Sequence, residues 1–509
     1  MNPRPTPHKV QPYFPTLFLS LGCAALGLPS SAQAQYAPPP PPKPFPGFVN
    51  EWMRQEDPYL AAWDIGGSVR TRAESKQGFA IAGVPGSIDF RDHGADVTNN
   101  YLLTKLRYRL GYTAKWWNAM IEGRSSFAFD DNRWASTLAP ARRGEGPESD
   151  TADLHQAYVT IGNHKEFPLS LKAGRQELSY GEERLVGAFA WNNIGRVFDA
   201  AKLRWQTEWF GADFFSGRVV IPEDNRFNVP NDYDWFSGVY ASVAKVPKHT
   251  LDVYFLARNT SASAVTAEPS PQLGQPSARD IYTLGFRLKS KPGEFGPWDY
   301  TVETMGQFGD FKDPRAGAPA VRLDHRAYAF VAQGGYTFTQ KTSTPRLGLE
   351  YAYGSGDGNP KDGKHTTFEN LFPTNHKFYG YADLASLQNL HDVRPILTFK
   401  PHPRLNMAIE GHLFWLADTS DSFYSVTGAA RGGTAATPAG GNFGVNPSYS
   451  NFVGSEVDFI TGWALTRYAQ LEGGYSHFFH GDYITRSLSS AAVGSRDADW
   501  AYLQLNINF

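Results

Sequence analysis

The last ten residues of the chain alternate between apolar and polar side chains. One face carries Ala501, Leu503, Leu505, Ile507 and Phe509, and the other carries Tyr502, Gln504, Asn506 and Asn508. A period of two predicts a β-strand with one apolar face. The segment has the length of a strand tilted across a bilayer, about 9–11 residues. Because an open strand edge has no hydrogen-bond partners in lipid, we predict that this strand closes a transmembrane barrel.

The same two-residue period recurs from Trp63 onward and predicts eighteen strands. They lie near residues 63–73, 102–114, 117–129, 154–162, 169–177, 199–206, 210–220, 235–245, 249–258, 280–290, 297–308, 326–338, 345–354, 391–400, 404–416, 455–465, 467–479 and 500–509.

The connections between these strands alternate in length. Short links follow the even strands, and long ones follow the odd strands, as in 355–390 and 417–454. An even-stranded antiparallel barrel with both termini on the turn side produces this alternation. We therefore predict an all-β, transmembrane antiparallel β-barrel of eighteen strands in a bacterial outer membrane, with long extracellular loops and short periplasmic turns.

Composition agrees with a barrel but does not prove one. The 509 residues include 49 Gly, 35 Phe, 25 Tyr and 13 Trp, and the mean hydropathy is −0.42. No apolar run reaches the roughly 18 residues of a membrane-spanning helix. A large secreted β-rich protein has the same averages, so the alternation of loop lengths carries the prediction.

The N-terminal region is predicted to be a targeting segment followed by a spacer. Residues 1–34 have basic residues, then an apolar stretch and a small-x-small cleavage pattern, Ala32-Gln33-Ala34. The only cysteine, Cys23, lies in that stretch; its use as a lipid attachment site is the less favoured alternative. Residues 35–62 are interpreted as a Pro-rich periplasmic segment, a spacer rather than a partner-docking segment, and 63–509 as the barrel.

If the apolar face contacts lipid, the opposite face lines the lumen and its charges can be identified. In residues 101–114 this places Lys105, Arg107 and Arg109 inward. The same assignment turns many other cations inward, namely Arg70, Arg72, Arg124, Lys172, Lys202, Arg204, Arg218, Arg258, Arg287, Lys289, Arg346, Arg394 and Lys400. Inward acids are fewer, so ion-pair ladders explain only part of the set. The surplus predicts a basic lumen that concentrates anions.

Three stretches resemble the alginate export family. They are LKAGRQELSYGEERLVGAFAWNNIGRVFDAAKLRW at 171–205, EYAYGSGDGNP at 350–360 and ENLFPTNHKFYGYADL at 369–384. The resemblance implies an eighteen-stranded outer-membrane porin with an arginine-rich constriction that passes an acidic polysaccharide.

The family-like segment at 171–205 supplies the candidates for the constriction: Arg175, Arg184, Arg196 and Arg204. Arg175 shares its strand face with Leu171 and Ala173. It therefore faces the lumen only if the strand kinks near Gly174.

Other constellations give weaker signals. Asp357, Asn359 and Asp362 offer oxygen ligands, but their spacing departs from that of a calcium loop, so a metal site is a weak candidate. His391-Asp392 and Asp92-His93 are adjacent pairs whose members point to opposite faces of a strand. We predict no enzyme activity, no cofactor and no nucleic-acid partner.

The sequence thus predicts a porin that passes anionic, uronate-type oligo- or polysaccharide such as alginate through a basic lumen, in contact with outer-membrane lipid. Export would require a periplasmic partner that delivers the polymer. The alternative is a surface adhesin or structural barrel with a blocked lumen. The predicted pore-lining residues are Arg70, Arg72, Lys105, Arg107, Arg109, Arg124, Lys172, Arg175, Arg184, Arg196, Lys202, Arg204 and Arg287.

Overall fold

The structure is a computed structural model. It describes residues 45–80, 88–94, 96–134, 147–224, 226–261, 278–312, 322–376, 378–431, 443, 445–489 and 493–509. The predicted signal at 1–34 and residues 35–44 of the predicted Pro-rich segment lie outside these residues.

Eighteen long strands form the wall, and two further two-residue strands, Val229–Pro230 and Lys364–His365, lie in loops. The wall strands are β1 (Trp63–Gln77), β2 (Thr98–Thr113), β3 (Trp117–Phe129), β4 (Asp150–Ile161), β5 (Leu169–Gln176), β6 (Phe198–Gln206), β7 (Phe210–Ile221), β8 (Asp234–Val243), β9 (His249–Thr260), β10 (Arg279–Ser290), β11 (Trp298–Phe311), β12 (Leu323–Thr337), β13 (Arg346–Gly354), β14 (Leu390–His402), β15 (Leu405–Leu416), β16 (Phe452–Ala464), β17 (Ala469–His480) and β18 (Ala498–Asn508).

Each wall strand pairs antiparallel with its neighbours in sequence, and β18 pairs with β1 from Ser68↔Asn508 to Gln77↔Asp499. This last pairing closes the sheet, so the barrel has no open edge. The predicted eighteen-stranded antiparallel barrel is confirmed. Every predicted strand overlaps an observed one. Several observed strands are longer than predicted, because β1 and β2 continue to pair beyond the alternating segment, as far as Gln77↔Thr98.

Alternating exposure distinguishes the two faces of the wall. In β2, Tyr108 and Leu110 are exposed, whereas Lys105 is buried. In β18, Leu503 is exposed, whereas Trp500 and Tyr502 are buried. The exposed apolar side chains form the exterior, as expected for a surface in lipid. The inward face carries charged side chains and packs against loops that enter the barrel.

Helical structure is limited to short segments. Helix α1 (Phe48–Glu56) and a 3-10 turn (Pro58–Ala62) precede β1, a 3-10 turn (Asn132–Trp134) follows β3, and helix α2 (Asp482–Ser489) lies between β17 and β18. Among the described residues, no helix is long and apolar enough to cross a membrane.

The segment before β1 docks at the turn end of the barrel. Asn50 donates to Asp64 Oδ1 over 2.8 Å, and Glu51 accepts from the Tyr468 hydroxyl over 2.8 Å. The Phe45 ring lies 4.4 Å from the guanidinium of Arg109. Residues 45–62, grouped with the spacer in the sequence-based prediction, therefore contact the wall at this end.

Two long connections fold into the barrel and carry much of its apolar core. We name residues 177–197, between β5 and β6, the first inner loop, and residues 355–389, between β13 and β14, the second inner loop. Their buried apolar side chains pack in one cluster with inward side chains of the wall. Examples are Val186 and Phe372 from the loops and Phe236 from β8. The apolar contacts hold the two loops inside the barrel.

Candidate functional site in the barrel lumen

The two inner loops pair with each other inside the lumen. Val186 and Phe372 form a parallel bridge, in which Gly187 N donates to Phe372 O and Phe372 N donates to Leu185 O, each over 2.9 Å. One step further along, Thr374 N donates to Glu183 O, also over 2.9 Å. Backbone groups that would be unsatisfied in a buried loop are thereby paired. The paired loops narrow the lumen.

Arg196 joins the two loops without an acidic partner among the described residues. Its Nη1 donates to the carbonyl oxygens of Gly187 (3.1 Å), Phe372 (2.6 Å) and Pro373 (2.8 Å). Burial and the neighbouring Arg258 lower the pKa of Arg196 to about 9. Because its three hydrogen bonds reach both inner loops, the Arg196 side chain links them, and we call this link the clamp of Arg196.

Arg184 ties the first inner loop to the wall. Its Nη2 lies 2.6 Å from Glu350 Oε2 on β13, and its guanidinium lies 4.1 Å from the Phe378 ring of the second loop. Arg184 is only 2% exposed and Arg196 only 5%. The loops cover both of these candidates for the constriction, so neither guanidinium is open to water.

Glu369 ties the second inner loop to three neighbouring wall strands, β9, β10 and β11. Its Oε1 lies 2.6 Å from Arg258 Nη1 on β9 and 2.6 Å from Arg279 Nη1 on β10. The side chain of Gln307 on β11 exchanges two hydrogen bonds with the Glu369 backbone, each of 2.8 Å. Burial raises the pKa of Glu369, but the two arginines more than offset this and keep it below its usual value.

The tip of the first inner loop, residues 190–194, is held by cations on β1 to β3. Four of the predicted pore-lining residues serve this purpose. Arg70 and Lys105 donate to Ala190 O over 3.0 and 3.1 Å, Arg72 to Trp191 O over 2.8 Å, and Arg124 to Ile194 O over 3.1 Å. Each of the four is buried. Their side chains face the inner loop, which covers them in place of water.

Arg107 and Arg109 form a half-buried ion-pair network. Arg107 Nη2 lies 2.8 Å from Glu177 Oε1, and Arg107 Nε donates to Glu122 Oε1 over 2.7 Å. Arg109 Nη2 lies 2.5 Å from Glu122 Oε2. Although burial raises the pKa of Glu177, its hydrogen bond to His155 and the charge of Arg107 lower it below the usual range. Asp64 also lies 3.8 Å from Arg109 Nη1, so this network joins two arginines to three carboxylates and has no cationic surplus.

A second group of basic side chains on the lumen face has fewer acidic partners. We name Lys172, Lys202 and Arg204 the basic cluster. Lys172 and Lys202 are paired directly across β5 and β6. Asp213 on β7 lies 3.3 Å from Lys202 Nζ and 2.8 Å from Arg204 Nη1.

Lys172 has no carboxylate within ion-pair distance among the described residues; its Nζ lies 3.5 Å from the centre of the Tyr158 ring. The side chains of Lys202 and Arg204 are 21% and 18% exposed. The cluster lies nearer the periplasmic ends of β5 and β6 than the first inner loop, which begins after Gln176. It therefore presents three basic side chains with one carboxylate to the lumen.

Arg287 extends the charged lumen face around the wall. Its Nε lies 2.9 Å from Asp252, and Lys289 on the same strand lies 3.0 Å from Glu182 of the first inner loop. Tyr240 and Ser242 also donate to Asp252, over 2.8 and 2.6 Å. Arg287 is thus firmly paired, whereas Lys289 is exposed.

Arg175 does not face the lumen. The register places it opposite Ala157 and Asp199, on the face of Leu171, which is exposed on the exterior. Its Nε lies 2.8 Å from Asp199, and its Nη2 donates to Asn228 O over 2.9 Å. Gly174 has a φ of +123°, yet the pairing continues without a shift, so the strand does not turn Arg175 inward.

The surplus of unpaired lumen cations predicted from the sequence is smaller in the structure. Most of the predicted inward cations have an ion-pair partner, namely Arg72, Arg107, Arg109, Arg124, Lys202, Arg204, Arg258, Arg287, Lys289, Arg346 and Arg394. Asp213 and Glu369 were missed as partners. Strand alternation could have placed Asp213 in the lumen, whereas the contacts of Glu369 depend on how its loop folds.

The weak metal candidates make local turns. Asp357 Oδ1 accepts from Asn359 N, Asn359 Oδ1 from Lys361 N and Asp362 Oδ1 from Lys364 N, over 2.9 to 3.4 Å. These bonds are Asx turns, each to the residue two positions on. Among the described residues, no group of three or more His, Cys, Asp or Glu side chains is arranged to hold a metal ion.

The members of His391-Asp392 contact different partners, as expected within a strand, whereas Asp92 and His93 lie outside the strands and close to each other. His391 contacts the Tyr351 hydroxyl over 2.8 Å, whereas Asp392 contacts the buried His412 over 2.9 Å. His93 and Asp92 lie 3.6 Å apart but are both largely exposed.

Several solved structures have a fold similar to that of this chain. OccAB4 of Acinetobacter baumannii is 10% identical with a TM-score of 0.51, covering 87% of this chain and 98% of that one. OpdQ of Pseudomonas aeruginosa is 10% identical with a TM-score of 0.51, covering 88% and 97%. OccK1 (OpdK) of Pseudomonas aeruginosa is 11% identical with a TM-score of 0.50, covering 88% and 98%. No match is found among curated proteins.

The closed barrel, with its apolar exterior and its lumen narrowed by inner loops, defines an outer-membrane channel of the porin class. The protein is located in the outer membrane, with the long loops outside the cell and the short turns in the periplasm. The alginate export family matches residues 62–494, and the chain belongs to this family.

Proposed function

We propose that the barrel passes anionic, uronate-type oligo- or polysaccharide across the outer membrane and that the basic cluster contacts the solute's carboxylates. The observation that carries the proposal is the local charge: among the described residues, the three basic side chains of Lys172, Lys202 and Arg204 have one carboxylate within ion-pair distance, that of Asp213, which pairs with Lys202 and Arg204. In a narrow passage with low-dielectric walls, such a surplus attracts anions and repels cations.

The chemistry of the cluster suits a saccharide that carries carboxylates. Arg204 can bind a carboxylate through two parallel hydrogen bonds, whereas the lysines act as mobile point charges. Because the three side chains retain access to water, contacts with the solute can exchange quickly, as passage requires. Family membership supports a polysaccharide as the solute.

The inner loops support selective passage rather than free diffusion. Their mutual pairing and the clamp of Arg196 keep them inside the barrel. A solute that enters from the periplasm would meet the basic cluster before the narrowed part. A delivery partner in the periplasm remains part of the proposal for export; a passive pore equally permits uptake.

Planar-bilayer recordings test the proposal. We expect the parent channel to be anion-selective in a KCl gradient and to be blocked by uronate oligomers but not by neutral glucose oligomers of equal length. The variant Lys172→Gln, Lys202→Gln, Arg204→Gln should lose anion selectivity and weaken the block about tenfold, or roughly 1.4 kcal/mol.

A control variant removes the same charge elsewhere. Lys115, Lys245 and Lys341 are exposed in periplasmic turns, so changing all three to Gln should leave selectivity and block unchanged. A cation-selective parent, the absence of any channel, or equal effects of the two triple variants would contradict the proposal.

A further inference from the structure

A serine, a histidine and an aspartate meet at the extracellular end of β17 and β18. Ser495 Oγ lies 3.1 Å from His480 Nε2, and His480 Nδ1 lies 2.5 Å from Asp497 Oδ1. His480 is the last residue of β17, and Asp497 immediately precedes β18. Because the two strands pair up to Phe478↔Ala498, the next residues of each are brought side by side.

The contacts around the histidine select the tautomer needed for general-base catalysis. Asp497 Oδ1 accepts from both the backbone N–H of His480, over 3.0 Å, and the Nδ1 side of its ring. With the proton held on Nδ1, Nε2 is left as an acceptor for the Ser495 hydroxyl. His477 Nε2 lies 3.6 Å from Asp497 Oδ2 and supports the carboxylate from the other side.

The aspartate is suited to the charged role of a triad. Partial burial raises the pKa of Asp497, but the hydrogen bonds from His480 and the nearby charge of His477 lower it below its usual value. The carboxylate is therefore ionised at neutral pH and can stabilise an imidazolium as it forms.

The serine is held in place by backbone contacts on both sides. Arg496 N donates to Phe90 O over 2.8 Å, and His93 N donates to Val493 O over 3.1 Å. Gly494, directly before the serine, has a φ of +67° and makes a sharp turn that other residues disfavour. A serine placed after a tight turn and fixed by its neighbours is pre-organised for attack.

One hydrogen-bond donor at the serine remains available. Within the part of the chain that the structure describes, the Ser495 N–H makes no backbone hydrogen bond. The nucleophile's own N–H is one of the donors that commonly stabilise a tetrahedral oxyanion.

Access distinguishes this group from a second set of the same residue types. His412, Asp392 and Asp458 are fully buried within the barrel, and Ser476 donates to Asp458 rather than to the histidine. By contrast, the side chains of His480 and Asp497 are 21% and 38% exposed, and Ser495 is half-exposed. Only the rim set has both the correct order of hydrogen bonds and access for a substrate.

We propose that Ser495, His480 and Asp497 form a hydrolytic site for carboxylic esters on the extracellular rim, separate from the channel. Ser495 Oγ attacks the ester carbonyl while His480 Nε2 takes its proton. The ester C–O bond then breaks, the alcohol leaves with that proton, and an acyl-serine remains. Water, deprotonated by His480, releases the carboxylic acid and restores the serine. Ser495 and His480 are catalytic residues, and Asp497 is a positioning residue.

The ester could belong to a surface saccharide or to a lipid of the outer leaflet, and chain length separates the two sources. Purified full-length barrel in detergent micelles is assayed with p-nitrophenyl acetate and p-nitrophenyl octanoate. A faster reaction with acetate indicates small acyl esters such as those of saccharides, and a faster reaction with octanoate indicates lipid esters.

The variants Ser495→Ala and His480→Ala should lower the hydrolysis rate at least about 100-fold. Asp497→Asn should lower kcat while leaving KM unchanged, because it disturbs the tautomer rather than the binding of substrate. Ser448→Ala, at an exposed serine whose hydroxyl contacts Asn446, is the matched control and should hydrolyse at the parental rate.

A fluorophosphonate probe gives a second readout that does not depend on turnover. We expect one adduct per chain, mapped to Ser495 by mass spectrometry, and none in Ser495→Ala. All variants should keep the parental single-channel conductance, which shows that the barrel is folded. An unlabelled Ser495 in the parent, or parental hydrolysis by Ser495→Ala, would overturn the proposal and leave the channel function untouched.

Discussion

Two sets of cations in the same lumen differ in how completely their charge is neutralised. At the inner loops, Arg184 and Arg258 are buried and paired with acids, and Arg196 is buried and donates to three carbonyl oxygens. In the basic cluster, half-buried Lys172 and Lys202 lie side by side, and among the residues that the structure describes Asp213 supplies the one carboxylate within ion-pair distance.

Exposure to water explains why the two sets of cations differ in how completely their charge is neutralised. A buried charge without a partner costs several kcal/mol, so every arginine covered by the loops requires an acid or a set of carbonyl groups. A charge that retains contact with water does not have this requirement, and its field acts on a passing solute. The first set therefore builds the narrowed part, and the second is free to interact with the solute.

The largest expected effect comes from breaking a buried pair at the inner loops. Among the described residues, Arg184→Met leaves Glu350 with one cationic partner, Arg394, whose Nη1 lies 3.6 Å from Glu350 Oε1. We expect the free energy of unfolding to fall by about 3 kcal/mol. Urea unfolding of the barrel in detergent micelles, followed by tryptophan fluorescence, measures this change.

Two further variants show whether the loss comes from the unpaired acid. Removing both charges in Arg184→Met, Glu350→Met should restore most of the stability, because no buried charge is stranded. Arg226→Met breaks an exposed pair with Glu223 and should change the free energy of unfolding by less than about 1 kcal/mol. Equal losses in the buried and exposed variants would remove the distinction between the two environments.

A smaller loss is expected when the acid of the second inner loop is changed. Glu369→Gln keeps the shape of the side chain but leaves Arg258 and Arg279 without their shared carboxylate. Because Arg258 Nη2 retains Asp234 Oδ2 at 2.8 Å, we expect the free energy of unfolding to fall by about 2 kcal/mol. Hydrogen exchange should become faster at the amides of Phe372 and Thr374, and unchanged exchange there would show that Glu369 does not hold the loop.

The basic cluster should respond in selectivity rather than in stability. Asp213→Asn removes the one carboxylate from the cluster and keeps acceptors for Lys202 and Arg204. We expect the ratio of anion to cation permeability to rise roughly twofold, because the local field becomes more positive. Reversal potentials in a KCl gradient measure the ratio, and a shift toward cations would place the cluster outside the permeation path.

The smallest expected effect is that of ionic strength on the anion selectivity of the channel. Raising the ionic strength from about 0.1 to 1 M shortens the Debye length from roughly 10 to 3 Å, so anion selectivity should fall. The free energy of unfolding should change by less than about 0.5 kcal/mol, because the buried pairs at the inner loops are screened much less. Selectivity that is insensitive to salt would indicate a steric rather than an electrostatic filter.

The wall of the barrel was predictable because its physical cause is local. Each strand has one face toward lipid, so the two-residue period appears in the sequence at every strand and sets the inward face of Lys105, Arg107 and Arg109. Strand ends were less accurate. At Thr98, for example, pairing continues although the apolar alternation has ended.

The candidate site was predictable only in part. Alternation selected Lys172, Lys202 and Arg204, which form the basic cluster, but also Arg70 and Lys105, which hold a loop. The loop carbonyls that bind the latter pair lie at Ala190 and Asn192, far away in the chain. The face of Arg175 depended on whether Gly174 bends the strand, and the cross-strand register decided against it.

The sequence by itself determined the strand count, the closure of the barrel and the side on which the long loops lie, since a lipid exterior imposes the same pattern on every strand. Only the tertiary structure decided that two of those loops enter the lumen, and hence which cations are covered and which meet water. It also brought together Ser495, His480 and Asp497 at the rim. Such contacts join residues whose positions depend on loop packing, and no period in the sequence records them.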